Sequence, residues 1–200
     1  MEKVSLSTNR LKPNMKTIYI LHGGNASHVN AENDAFFSEM LKYTSNEVKI
    51  LLVEFAGSEE KRAQHAQEDK AQFERVARNK KVAFAIATEQ NFLNQVKDSD
   101  VIYLRGGTTV RLLENLRRYE NLDKLFGGKV IAGESAGANS LSAYCYSKSG
   151  GGIIPGLGLV PVRIIPHYKK GMETHFANIA SDLELVLLPE YAFKVFEREQ

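Results

Sequence analysis

The chain has 200 residues, of which 43% are hydrophobic and 25% are charged, and its formal net charge at pH 7 is +2. This length and composition predict one folded globular domain over residues 1–200, because domains commonly contain about 50–250 residues. The near balance of charge argues against a protein that binds nucleic acid through bulk electrostatics. No apolar run approaches the ~20 residues that cross a bilayer, and the N-terminus lacks the apolar core of a signal peptide.

Five strands are predicted in the first two thirds of the chain, and helices are predicted between them. The strands are expected at 17–22, 48–55, 82–87, 100–104 and a fifth that ends at Val130-Ile-Ala132. The helices are expected at about 29–44, 58–79, 89–97 and 110–119. Continuous apolar strands that alternate with helices indicate a mostly parallel central sheet with helices on both faces.

The regular alternation of strands and helices changes in the last part of the chain. A helix is predicted from Ala138 onward, and it is expected to include Cys145 as a core residue. A glycine-rich loop over 147–152 and a strand over 162–167 follow. A short helix over 170–181 then precedes two terminal strands, 183–189 and 192–196, which could form a hairpin.

Two further features bear on location and on the start of the chain. Cys145 is the only cysteine, which excludes an intrachain disulfide and predicts a reducing, cytoplasmic environment.

Met15-Lys-Thr-Ile-Tyr-Ile itself looks like a natural chain start, so we interpret residues 1–14 as an N-terminal extension.

The segment Gly133-Glu-Ser-Ala-Gly137 fits the pattern G-x-S-x-G between a predicted strand and a predicted helix. This context is typical of a nucleophile elbow, in which a strained serine lies near a helix N-terminus. The alternative is a glycine-rich turn with a surface serine. Glycine pairs also end two other predicted strands, at Gly23-Gly24 and Gly106-Gly107. In open α/β sheets, ligands bind at the carboxyl ends of the strands, so the three turns are expected to surround one site.

Gly23-Gly24 could instead belong to a phosphate-binding loop. The sequence around it fits neither G-x-G-x-x-G nor G-x-x-x-x-G-K-[ST], which disfavours a nucleotide cofactor. A chain of this length also buries enough surface to fold without a structural metal. We therefore expect neither a cofactor nor a metal.

A nucleophilic serine needs a base, and the base needs an acid that orients it. His167 follows an apolar strand and Pro166, so we favour it as the base over a purely structural histidine. No Asp or Glu lies between Ser135 and His167, which excludes for this pair the Ser–acid–His order of α/β-hydrolases. Glu173 and His175 are two residues apart on one predicted helix and could not easily pair.

The remaining order is Ser, His, acid. The acids downstream of His167 are Glu173, Asp182, Glu184, Glu190, Glu197 and Glu199. Glu190 stands out because it follows Val186-Leu-Leu-Pro189, at the end of a buried-looking strand. A plain turn carboxylate is the alternative interpretation of Glu190.

Four motifs in this order resemble the peptidase E (aspartyl dipeptidase) and cyanophycinase family of serine peptidases. They are Gly106-Gly107, Gly133-Glu-Ser-Ala-Gly-Ala-Asn139, Pro166-His167 and Pro189-Glu190. The resemblance covers about residues 17–195 and implies a flavodoxin-like fold similar to class I glutamine amidotransferases, with serine replacing the cysteine nucleophile. It implies Ser135 as nucleophile, His167 as base and Glu190 as orienting acid. It also implies an oxyanion hole at the backbone N–H groups of Gly107 and Ala136.

The sequence departs from the family in ways that concern the substrate. The chain is shorter than typical members, and Glu134, before the serine, is charged where members vary. No motif assigns the basic residue that would hold an acidic substrate side chain. Arg105 and Arg163 are candidates, although each alone is more readily interpreted as a salt-bridged surface residue. Two further candidate substrate contacts are Gly106 and Asn139.

These features predict a serine hydrolase of short peptides, such as dipeptides with an acidic first residue, that acts through an acyl-enzyme. One alternative is an ester or other amide hydrolase on the same residues. Another is a non-catalytic amidotransferase-like domain that binds a small molecule or a partner. A class I amidotransferase itself is disfavoured, because Cys145 lies outside the elbow. The expected partner is a small peptide, without nucleic acid or membrane, and the expected assembly is a monomer or homodimer.

Overall fold

The computed structural model describes residues 16–199, so the extension interpreted from residues 1–14 lies outside the described part. The strands of residues 16–199 are β1 (Thr17–His22), β2 (Glu47–Val53), β3 (Lys81–Ile86), β4 (Val101–Leu104), β5 (Val130–Glu134), β6 (Ser142–Ser147), β7 (Gly152–Pro155), β8 (Val160–Pro166), β9 (Glu184–Leu188) and β10 (Phe193–Arg198). The α-helices are α1 (Ala31–Lys42), α2 (Glu59–Val76), α3 (Phe92–Lys97), α4 (Thr109–Leu116), α5 (Leu122–Leu125) and α6 (Ala136–Leu141).

The central sheet has six strands in the order β10-β1-β5-β4-β2-β3. All neighbouring pairs are parallel except β10, which runs antiparallel to β1. Strands β1, β4 and β5 are buried along their whole length, as expected for inner strands covered on both faces. The predicted α/β fold with a mostly parallel central sheet is confirmed, and the strand that carries the elbow lies between β1 and β4.

Each face of the central sheet packs against its own hydrophobic core. On one face, Phe36 and Phe37 of α1 and Phe73 of α2 pack against residues such as Tyr103 of β4. On the other face, α3 to α6 contribute to a second core that also includes Cys145 of β6. Helices therefore cover both faces, as the sequence predicted.

A second sheet, with the order β7-β6-β8-β9, follows the elbow helix and was not predicted. The helix expected from Ala138 onward ends at Leu141, because Ser142 adopts an extended conformation with φ −73° and ψ 167°. Cys145 therefore lies on β6, opposite Ile164 of β8, rather than on the helix. Its assignment to the core is correct, since the side chain is 0% exposed.

The two C-terminal strands do not form a hairpin. Strand β9 pairs in parallel with β8 in the second sheet, whereas β10 pairs with β1 in the central sheet. The segment that contains Glu190 therefore crosses from one sheet to the other. The helix predicted over 170–181 is only a 3₁₀ helix, Met172–Phe176, because Asn178 and Ala180 adopt left-handed conformations with φ 63° and 45°. Within residues 16–199, no helix is both long enough and apolar enough to cross a membrane.

Candidate active site

Ser135 lies at the tight turn between β5 and α6. Its φ of 46° and ψ of −99° are strained for a residue with a side chain. The Ser135 N–H donates to the His22 carbonyl at 3.0 Å, and the Asn139 N–H donates to the Ser135 carbonyl at 2.9 Å. The turn also needs glycine on both sides, because a Cβ on Gly133 would lie 2.4 Å from the Gly137 carbonyl carbon. The predicted strand–turn–helix context of the elbow is therefore present.

His167 follows the last residue of β8 and places its imidazole against the serine. The Ser135 Oγ lies 2.8 Å from His167 Nε2, a distance typical of a hydrogen bond. The His167 N–H donates to the Gly23 carbonyl at 2.8 Å. The ring packs directly over Gly24, where a Cβ would lie 2.1 Å from Cε1. A glycine at position 24 is thus required for the imidazole to reach the serine.

Glu190 approaches the other side of the imidazole. Its Oε1 lies 3.4 Å from His167 Nδ1, which is longer than a typical N–H···O hydrogen bond. The two side chains are 42% and 44% exposed, so this contact is open to solvent. The next residue, Tyr191, donates its N–H to the Gly24 carbonyl at 3.2 Å. The turn after β1 therefore contacts both the histidine segment and the acid segment.

A cavity of about 480 Å³ opens beside the serine. Ser135, His167 and Glu190 all line it, and Gly107 lines it from the N-terminal side of α4. Its remaining wall comes from α4, α6, β6, the turn after β6 and the segment after His167: Thr108, Thr109, Asn139, Tyr146, Ser147, Lys148, Ser149, Pro166, Lys169 and Met172. The cavity is large enough for a small molecule and has few apolar side chains.

Two backbone N–H groups are suited to receive negative charge beside Ser135. Ala136 is the first residue of α6, where an N–H has no partner inside the helix. Gly107 has a φ of 146°, and its N–H has no acceptor among residues 16–199. A Cβ on Gly107 would lie 2.8 Å from the Ala56 carbonyl oxygen, so glycine is required at this turn.

Glu134 and His22 lie buried behind Ser135 and His167. From the sequence, Glu134 has no assigned role, and His22, at a strand end, could line the site but is more readily interpreted as structural. The Glu134 carboxylate accepts hydrogen bonds from the N–H groups of Ala26 at 3.1 Å and Gly106 at 3.0 Å, and from the Tyr103 hydroxyl at 3.4 Å. His22 Nδ1 accepts from the Gly24 N–H at 3.1 Å. Burial lowers the pKa of His22 to about 4, so this imidazole is neutral at physiological pH.

Asn139 and Gly106, two candidate substrate contacts, occupy different positions. Asn139 lines the cavity, and its Nδ2 donates to Thr109 Oγ1 at 3.1 Å and to the Tyr146 carbonyl at 3.4 Å. Gly106 is not among the residues that line the cavity, and its N–H donates to Glu134. The structure therefore brings Asn139, but not Gly106, to the cavity wall.

Neither candidate arginine lies in the cavity wall. The Arg105 guanidinium donates to Asp69 Oδ1 and Glu68 Oε2, each at 2.6 Å, in a network on the α2 side of the sheet. Arg163 donates to the Leu183 carbonyl at 3.0 Å and the Ile179 carbonyl at 2.8 Å. Both guanidinium groups are engaged by the fold, as the alternative interpretation of each arginine expects, and neither residue lines the cavity.

The positive side chains that line the cavity are Lys148 and Lys169. Both residues are exposed, and neither ammonium group has an ion-pair partner among residues 16–199. Their positions in the chain gave a usable signal, since Lys148 lies in the glycine-rich loop and Lys169 lies two residues after His167. No group of His, Cys, Asp and Glu within residues 16–199 is arranged to hold a metal ion.

This arrangement can perform nucleophilic acyl transfer. An imidazole in contact with a serine hydroxyl can remove its proton, and a nearby carboxylate can orient and stabilise the imidazolium. Free N–H groups at the elbow can stabilise the oxyanion that forms when serine attacks a carbonyl. The cavity next to Ser135 leaves room for the acyl group.

The family model of Peptidase family S51 matches residues 19–185. A crystal structure of a peptidase from an acI-B1 actinobacterium is similar, with a TM-score of 0.68 and 22% sequence identity, covering 93% of this chain and 86% of that one. A candidate peptidase E from Listeria monocytogenes EGD-e is also similar, with a TM-score of 0.62 and 18% identity, covering 92% of this chain and 99% of that one. No curated protein sequence matches this chain significantly. The chain belongs to peptidase family S51 and is a serine peptidase.

Proposed function

We propose that this protein hydrolyses short peptides, with Ser135 as nucleophile, His167 as general base and Glu190 as the acid that orients the imidazole. The observation that carries the proposal is the 2.8 Å contact between Ser135 Oγ and His167 Nε2 at the edge of the cavity. Membership of a serine peptidase family supports the same reaction class.

In the proposed mechanism, His167 Nε2 takes the hydroxyl proton as Ser135 Oγ attacks the peptide carbonyl. Glu190 accepts a hydrogen bond from Nδ1–H and stabilises the imidazolium. The N–H groups of Gly107 and Ala136 stabilise the oxyanion. The imidazolium then protonates the leaving amine, which leaves an acyl-enzyme on Ser135. Water attacks this ester with the help of His167, and the free acid departs.

The mechanism is tested by Ser135→Ala. We expect kcat to fall by about 10³-fold or more while the fold is retained, because the nucleophile and the base act as one unit. The measurements are turnover of a dipeptide library and labelling by a fluorophosphonate probe, followed by peptide mapping. Ser140→Ala is the matched control, since Ser140 is buried on the same helix and its hydroxyl donates to the Ala136 carbonyl, its one hydrogen-bond partner in the described part of the chain. Full turnover by folded Ser135→Ala would refute the mechanism.

The same experiment separates the alternatives. Rapid turnover of small esters or other amides without turnover of dipeptides would indicate a different hydrolase on the same residues. A native protein that leaves Ser135 unlabelled by the fluorophosphonate would indicate a non-catalytic binding domain. Labelling of Ser135 together with dipeptide turnover would support the peptidase.

We infer further that the preferred peptides are dipeptides with an acidic first residue. Lys148 and Lys169 are the observation that favours this substrate, because their ammonium groups, which form no ion pair within residues 16–199, give the cavity wall a positive charge. Opposite charges in a partly exposed site attract by up to about 1 kcal/mol per pair. A cytoplasmic location, where short peptides arise from protein turnover, is consistent with the free, buried Cys145 thiol.

The substrate preference is tested by Lys169→Met. We expect KM for a dipeptide with an N-terminal Asp to rise roughly fivefold, since about 1 kcal/mol of ion pairing is lost. The KM for a dipeptide with an N-terminal Leu should stay the same. Lys170→Met is the matched control, because Lys170 is exposed but does not line the cavity. An equal change for both dipeptides would contradict an electrostatic role for Lys169.

A further inference from the structure

Glu134 is the last residue of β5 and lies directly before the nucleophile. Only 9% of its surface is exposed, and the proposed mechanism does not use it. Its two carboxylate oxygens bind different segments: Oε1 accepts from the Ala26 N–H and Oε2 accepts from the Gly106 N–H. One buried carboxylate therefore joins the turn after β1 to the turn after β4.

The turn after β1 holds the segments that carry the base and the acid. The Gly23 carbonyl accepts from the His167 N–H, and the Gly24 carbonyl accepts from the Tyr191 N–H, next to Glu190. The His167 ring also packs on Gly24. A shift of this turn would therefore change the position of the imidazole relative to Ser135.

The turn after β4 carries the N–H of Gly107, which lines the cavity. The preceding N–H, that of Gly106, is fixed by Glu134, and a Cβ on Gly106 would lie only 3.0 Å from Glu134 Oε2. This close contact leaves the Gly106–Gly107 peptide little freedom to rotate. Oxyanion stabilisation depends on donors that are already oriented before the reaction begins.

We propose that Glu134 is a positioning residue that couples the turn supporting His167 to the Gly106–Gly107 turn, so that base and oxyanion donor keep one fixed geometry around Ser135. The inference rests on the proposed function of Ser135, His167 and Gly107. Hydrogen bonds to an ionised carboxylate are about twice as strong as neutral ones, which suits this role. Misplacement of a reacting group by about 1 Å can lower a rate 10²-fold.

A carboxylate can accept hydrogen bonds from both turns, whereas an amide side chain cannot. Both turns present N–H donors to Glu134, and an ionised carboxylate accepts through both of its oxygens. A glutamine has nearly the same shape, but its NH₂ group would face one of the two N–H donors. Glu134→Gln must therefore release one turn while it preserves the volume of the side chain.

The test is the steady-state kinetics of Glu134→Gln with a dipeptide substrate. We expect kcat to fall roughly 10- to 100-fold with KM nearly unchanged, since the lost interaction acts on the transition state. Labelling by the fluorophosphonate should slow by a similar factor.

Tyr103→Phe is the matched control. It removes the third hydrogen bond to Glu134, from the Tyr103 hydroxyl, and leaves both N–H contacts in place. We expect Tyr103→Phe to lower Tm while kcat stays within about twofold of the native value, because a lost hydrogen bond costs stability without moving either turn.

Gly106→Ala tests the same coupling from the Gly106–Gly107 turn, since its Cβ would press on Glu134 Oε2. It should lower kcat in the same way as Glu134→Gln.

The outcomes distinguish the inference from the mechanism on which it rests. A folded Glu134→Gln that loses Tm but keeps kcat and its labelling rate would show a purely structural role and overturn the inference. If Glu134→Gln does not fold, an unchanged kcat in Gly106→Ala has the same meaning. Turnover by Ser135→Ala would instead refute the proposed function itself.

Discussion

Three residues of the site, Ser135, His167 and Tyr191, have φ angles of 46°, 50° and 69°. Such conformations cost about 1–3 kcal/mol each for residues with side chains, so the surroundings must hold them. Their N–H groups donate to three consecutive carbonyls, those of His22, Gly23 and Gly24. One short stretch of backbone at the end of β1 therefore holds the strained residues of the three segments that carry Ser135, His167 and Tyr191.

His22 gives this stretch a pH-dependent stability. Burial lowers its pKa to about 4 in the folded state, whereas 6.5 is its ordinary value. Between these values the unfolded chain binds a proton that the folded protein does not. The stability contributed by neutral His22 is therefore complete above pH 6.5 and is lost as pH falls toward 4, by up to roughly 3 kcal/mol.

The prediction is tested with His22→Gln, which cannot titrate in this range. We expect native protein to lose more free energy of unfolding than His22→Gln between pH 7.5 and pH 4.5, as measured by urea denaturation at each pH. Comparison of the two proteins removes the contribution of other titrating groups. An identical pH dependence of both proteins would contradict the assignment of a neutral, buried His22.

At the scale of elements, the start of helix α6 packs closely against strand β4 of the central sheet. A Cβ on Gly137 would lie 2.1 Å from the carbonyl oxygen of Leu104 on β4. The small residues of the elbow thus have a packing role in addition to the turn itself. The first N–H groups of α6 are placed beside the cavity as a result.

Gly137→Ala is expected to destabilise the protein by about 1–3 kcal/mol, because the helix must move away from β4 to admit a methyl group. The measurement is the urea midpoint or Tm. Gly151→Ala is the control: its φ of 74° also disfavours alanine, but its Cβ would meet nothing within 4 Å. Gly151→Ala should therefore cost only the backbone strain, about 1 kcal/mol. An equal loss in both variants would argue against the close packing of α6.

Helices and strands were predictable where the apolar pattern is unambiguous. The prediction failed where the pattern fits both types. Strands β1 to β5 and helices α1 to α4 follow the sequence pattern to within a few residues. The segment 142–146 was assigned to the elbow helix, although it belongs to β6. Short apolar runs fit either type, and here pairing of Cys145 with Ile164 of β8 selects the strand.

At the scale of the whole molecule, the site depends on a crossing between two sheets. Strand β9 lies in the second sheet and β10 in the central one, so the intervening segment passes the carboxyl end of β1. That passage brings Glu190 to His167. A terminal hairpin, the arrangement considered from sequence, would have left Glu190 in an ordinary turn between paired strands.

The sequence by itself determined the alternation of strands and helices, the elbow at Ser135 and the order Ser, His, acid, because these follow from local pattern and chain order. Only the tertiary structure decided which charges face the cavity. Arg105 and Arg163 are held by Asp69, Glu68 and backbone carbonyls, whereas Lys148 and Lys169 remain in the cavity wall. Likewise, only the tertiary structure brings Glu134 to its hydrogen-bond partners, which lie 108 and 28 residues away in the chain. Contacts of this kind depend on which strand ends meet, and no local pattern in the sequence specifies that.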